Sequence, residues 1–223
     1  MSTQASRVPA LARAAARLSD PAGRVHRAVL IAFAATGQPP PQAEIQRLIR
    51  ADGGEPDRVR AELTDADLLA FAANGEIRAA YPFSPTPTPI RVSWSGGPDA
   101  YAMCAIDALG MSAMLGRPVT VTAAEPGTGR VITVTVNGDS ARWKPRTAVV
   151  FAGGVSGAGP PAADRCCGYI NFFTTMRAAR AWAGHHPEIS GDILRRRGAL
   201  RIGIDQFGPL LQTGHGDTSE PRP

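Results

Sequence analysis

Three cysteines among 223 residues hold most of the chemistry that can be read from this chain. Cys104 lies in YAMCAIDALG (101–110), with Asp107 three residues later, and the vicinal pair Cys166–Cys167 opens CCGYINFF (166–173). On a helix, residues three apart share a face with Cβ atoms roughly 5–6 Å apart, so Cys104 and Asp107 are expected side by side. A thiol of the downstream pair brought to that face would set two soft sulfur donors beside one carboxylate. Such a group can grip a thiophilic metal centre and move a proton at the same place.

Other chemistries fit the residues less well. Free cysteine is often a small buried hydrophobe, and Met103, Ala105, Ile106 and Leu109 around Cys104 suit that reading. Asp107 resists it, because a carboxylate in an apolar stretch needs a partner. A closed zinc site wants four ligands at paired spacing, which His26, His185, His186 and His215 do not supply. A cysteine hydrolase wants a histidine base, and no local signature offers one. Adjacent cysteines close on each other only with strain and point to opposite sides if extended, so one of the pair is expected to face Cys104.

The composition bounds the setting. An odd number of cysteines in a chain of this length argues against a disulfide scaffold and for a reducing cytoplasm. The apolar run AVLIAFAA (28–35) is too short to span a bilayer, and the helical LARAAARL (11–18) before it argues against a secretory leader. The net charge of +5 and pI near 9.7 come from arginine, with Lys144 the one lysine. Arg47, Arg50, Arg58, Arg60, Arg142 and Arg146 are scattered along the chain, apart from the triplet Arg195–Arg197. A solvated basic surface, with neither nucleic-acid nor membrane partners, is expected.

The elements that must position the cysteines fall into two parts. Residues 1–80 read as a helical, winged-helix-like module, with helices over 11–18, 24–35, 42–50 and 56–73 and a left-handed stop at Asn74-Gly75. Short strands over 76–81 and 90–94, joined by PFSPTPTP (82–89), suggest a hairpin. The mixed charges of 56–73 (Arg58, Arg60, Glu62, Asp65, Asp67) make a poor surface for phosphates, so packing rather than DNA binding is its expected role. Residues 81–212 read as an α+β core with a mixed, largely antiparallel sheet and flanking helices. There Asp99 is expected to cap a helix over 100–115, followed by alternating strands over 119–124 and 131–136 and a strand over 147–151. A mobile loop over 153–161, a strand over 169–173 and helices over 176–183 and 199–211 complete the core. Residues 213–223 read as a disordered tail.

YAMCAIDALGMSAMLGR (101–117) resembles the active-site helix of the bacterial organomercurial (alkylmercury) lyases, with its Tyr-x-x-Cys-x-x-Asp-x-Leu and later Leu-Gly-Arg. CCGYINFF is similar to that family's second cysteine motif, and AARAWAGHHPEISG (178–191) and QFGPLL (206–211) match in order and spacing. The resemblance covers roughly residues 80–212 and rests on both cysteine motifs together. It implies protonolytic cleavage of a carbon–mercury bond by Cys104, Asp107 and Cys166, with Hg(II) left on Cys104 and Cys166. Cys167 would match a neighbouring cysteine that the chemistry does not need. No cofactor is implied, since mercury enters as substrate and leaves as product. The implied partners are organomercurials, low-molecular-weight thiols and a mercuric reductase that accepts Hg(II). Met103 stands where better-known members have tryptophan, Arg165 where they have phenylalanine, and Gly168-Tyr169 where they have His-Val. These departures bear on the pocket wall rather than on the reacting groups. The rival expectation is a non-enzymatic metal or thiol sensor on the same scaffold, which would need a basic recognition helix and dimerisation.

Overall fold

The computed structural model describes residues 11–155 and 167–212. Four helices come first: α1 (Leu11–Ala15), α2 (Asp20–Thr36), α3 (Gln42–Ala51) and α4 (Pro56–Asp65). Helix α2 begins earlier than its apolar spacing suggests, with Pro21 in its first turn, and ends on Gly37 at φ 75°. Helix α4 is shorter than the expected 56–73. Asp67 turns left-handed at φ 53°, and the chain then forms strand β1 (Leu69–Phe71), paired antiparallel with β2 (Ile77–Ala80). Asn74-Gly75, expected to stop that helix, instead turns this hairpin, with Gly75 at φ 82°. Alanine- and leucine-rich sequence favours helix locally, but pairing with β2 decides the outcome here.

The large sheet has eight strands in the order β1-β2-β3-β5-β4-β6-β7-β8, and its pairings are all antiparallel. Its further members are β3 (Phe83–Ser84), β4 (Ile90–Ser93), β5 (Ala100–Ala102), β6 (Val119–Ala124), β7 (Val131–Asn137) and β8 (Ser140–Lys144). The strands expected at 76–81 and 90–94 do form, but not as a hairpin: β3 and β5 lie between them. The alternation of VTVTAA and VITVTV sends Val119, Val121, Ala123, Ile132, Val134 and Val136 into the core. A second sheet, β10-β9-β11, is built from β9 (Val149–Gly154), β10 (Ile170–Phe173) and β11 (Ser190–Leu194). The loop expected over 153–161 thus begins as strand, and 156–161 lie outside the described residues, as do 213–223.

Helix α5 (Ala105–Leu115) crosses the large sheet, α6 (Met176–Gly184) covers the small one, and α7 (Arg196–Phe207) packs against α5. One apolar cluster runs from Leu11 in α1 through the large sheet to Leu210, so the first helices and the sheet share a core. Strand β9 is buried on both faces. Val150 joins the large cluster, while Val149 and Phe151 pack with Phe173, Ala179 and Ile189 under α6. The architecture is α+β with antiparallel sheets, as the sequence suggests. No helix among the described residues is long and apolar enough to cross a membrane.

Candidate functional site

Cys104 sits where the middle of the large sheet hands over to α5. The expected helix over 100–115 is a strand followed by a helix: β5 pairs with β3 and β4, and α5 starts only at Ala105. Cys104 itself is extended (φ −154°, ψ 177°) and is the N-cap, in place of Asp99. Its sulfur accepts a hydrogen bond from the Asp107 amide at 3.5 Å, the geometry in which a cap side chain satisfies an otherwise unpaired amide of the first turn. Nine of the eleven residues of α5 are buried, Asp107 among them. A helix apolar all round belongs inside the protein, so its one carboxylate stands in the core.

The position of α5 is set by contact with α7. A Cβ on Gly110 would lie 2.4 Å from the Gly203 carbonyl oxygen, and one on Gly203 would lie 2.8 Å from the Gly110 amide nitrogen. Two glycines therefore bring the helix backbones together, closer than any side chain allows.

Cys167 reaches the site from the small sheet. It opens a 3₁₀ turn (Cys167–Tyr169) that leads into β10. Asn171 fastens the turn by donating from Nδ2 to the Gly168 carbonyl at 2.9 Å. At the far end of β10, the Glu125 carboxylate accepts from the Thr174 amide at 2.6 Å and its hydroxyl at 2.7 Å. Glu125 follows β6, so this clip ties the small sheet to the large one. Burial alone would raise the Glu125 pKa, but the hydrogen bonds from Thr128 and Thr174 outweigh it and hold the group below the usual carboxylate range. Nothing in the sequence flagged the Glu125–Thr174 pairing beyond a lone carboxylate at a hairpin loop.

Together these elements bring the Cys104 and Cys167 sulfurs and an Asp107 carboxylate oxygen within 4.8 Å of one another. All three residues are buried. Cys166, the other member of the pair, lies outside the described residues. Neither His26, on α2, nor His185 and His186, after α6, belongs to the cluster, and His215 lies outside the described residues.

Burial pushes the Cys104 thiol up to about 11, and the nearby Asp107 charge adds to that rise, while hydrogen bonds from Cys167 and the Asp107 amide oppose it. Burial thus favours the protonated form of the Cys104 thiol, which lies beside the Asp107 carboxylate. Among the described residues the cluster offers three soft or anionic ligands, one fewer than a closed structural zinc site uses.

The fold and the cluster define a protein with a buried two-thiol, one-carboxylate centre at the start of a core helix. The family model for alkylmercury lyase matches residues 83–208. The alkylmercury lyase of Streptomyces lividans is 31% identical over 162 residues, covering 71% of both chains. That of Staphylococcus epidermidis is 31% identical over 165 residues, covering 72% of both. The crystal structure of MerB2 in its mercury-bound form shares the fold, with a TM-score of 0.69, 24% identity, and 91% of this chain and 99% of that one covered. The chain belongs to the alkylmercury lyase family.

Proposed function

We infer that the protein cleaves carbon–mercury bonds by protonolysis, giving a hydrocarbon and Hg(II) bound to two cysteine sulfurs. The observation that carries this reading is the buried cluster of two thiols and a carboxylate in a member of this family. Thiolates are the soft ligands that Hg(II) prefers, and two of them on one mercury push electron density onto its remaining carbon. Cys104 displaces the thiol that carries the organomercurial, and its proton passes to Asp107. The second cysteine then binds and its proton leaves on the displaced thiolate as HSR′, so that mercury bears two sulfurs and carbon; Asp107 then delivers the Cys104 proton to carbon as general acid. The balance closes as R–Hg–SR′ plus two cysteine thiols giving RH, HSR′ and Cys–S–Hg–S–Cys. External low-molecular-weight thiols then remove Hg(II) for a reductase to accept, and no resident cofactor takes part.

The resemblance assigns the second sulfur to Cys166. The position of Cys167 supports a second reading, in which Cys167 is that ligand or the thiol that hands its place to Cys166. Single substitutions of the pair separate the two. Residues 1–80 act as a packing module for the catalytic core, and the protein works in the cytoplasm without nucleic-acid or membrane partners. The test of the activity is incubation with phenylmercury and excess thiol while benzene is followed by gas chromatography. Absence of benzene from folded protein would overturn the reading.

A further inference from the structure

We propose a second, separate binding site, for a small phosphate-bearing anion, in the open groove between the free edge of the large sheet and the start of α7. The groove has a volume of about 750 Å³, within the range of small-molecule sites. Three guanidiniums line it: Arg142 from β8, Arg146 from the segment after β8, and Arg196 from the first turn of α7. Thr135, Asn137 and Ser140 add hydroxyl and amide groups, and no acidic side chain is among the lining residues.

Charge on an edge strand has an ordinary use, since it blocks pairing with another chain. That use accounts for Arg142 on β8, but not for Arg196, which belongs to a different element and lines the same groove. Elsewhere on the surface Arg24, Arg60, Arg91 and Arg201 each pair with a carboxylate. Among the described residues the three groove arginines have no such partner. Like charges that share one groove are stabilised by an anion bound there, and the planar guanidinium matches phosphate oxygens two at a time. Three such forks suit a ligand with several phosphate oxygens, such as a diphosphate, better than a single carboxylate.

The test is isothermal titration of the full chain with sodium pyrophosphate at constant ionic strength. Saturable binding at one site is expected. Arg142→Ala and Arg196→Ala should each weaken it about tenfold or more, the scale of one lost charge-assisted hydrogen bond. Arg196→Lys should fall between, keeping charge but not the fork, and Arg91→Ala, outside the groove, should leave affinity unchanged. Non-saturating heats would overturn the proposal. So would equal losses from Arg91→Ala and Arg196→Ala, which would mean diffuse attraction by net charge. Duplex DNA binding more tightly than pyrophosphate through the same arginines would also overturn it, in favour of a nucleic-acid surface.

Discussion

His26 gives the chain a calculable sensitivity to acid. It lies on α2, which packs on α3 and α4, is 3% exposed, and its Nε2 has no hydrogen-bond partner among the described residues. Burial lowers its pKa from 6.5 to about 4. The folded state therefore holds the neutral ring, and the unfolded state binds the extra proton as pH falls below 6.5. Stability is full above that value, declines as pH falls toward 4, and levels off below it. At 1.36 kcal/mol per pKa unit, the full loss is about 3 kcal/mol, of which about 2 kcal/mol falls between pH 7 and pH 5. Urea unfolding of the wild type and His26→Leu at both pH values isolates this contribution, because the leucine variant keeps an apolar group and cannot titrate. The difference in stability between pH 7 and pH 5 should be about 2 kcal/mol larger for the wild type. Equal losses in the two proteins would show that His26 is protonated, or accessible to water, in the folded state.

Asp107→Asn should still take up phenylmercury yet release benzene about 10²–10⁴-fold more slowly, the scale of a lost general acid; near-normal release would remove Asp107 from the proton path. Cys104→Ala should abolish cleavage, and a comparison of Cys166→Ser with Cys167→Ser by benzene release will show which sulfur completes the pair. If Cys166 is the ligand, Cys167→Ser keeps most of the activity; a dead Cys167→Ser with a live Cys166→Ser assigns the role to Cys167. Gly110→Ala should destabilise the fold by about 1–3 kcal/mol in urea, since the added methyl meets the Gly203 backbone rather than a movable side chain; unchanged stability would mean the two helices separate freely. Glu125→Ala should cost about 1–3 kcal/mol by leaving the buried Thr174 amide without its acceptor, and should slow benzene release if the clip also sets the position of Cys167.

What the sequence disclosed follows the range of the forces involved. The β6–β7 pair was legible because a near-alternation of β-branched residues with Thr writes both the strand period and the buried face into adjacent residues. The Cys104–Asp107 neighbourhood was legible because it depends on a spacing of three. Leu69–Phe71 was not, since its strand depends on Ile77–Ala80 and its local composition favours helix. Ala100–Ala102 likewise becomes strand through β3 and β4 on either side, which moves the cap from Asp99 to Cys104. Strand β8 and the edge groove escaped notice because SARWK has no long apolar run, although Asn137-Gly138 before it is a hairpin signal. The place of Cys167 depends on a turn that the doublet of cysteines does not encode.

Because Cys104 is both a thiol of the buried cluster and the cap of α5, any chemistry at its sulfur is also a change at the end of a helix. A neutral thiol is a weak acceptor for the Asp107 amide, whereas a thiolate is a stronger one and also sits favourably at the positive end of the helix. A metal on that sulfur competes for the same lone pairs and draws on the electrons the amide would share. The Asp107 amide proton thus becomes a built-in gauge of the sulfur's state. Its chemical shift and hydrogen-exchange rate distinguish thiol, thiolate and metal-bound forms in solution, without any label at the site itself.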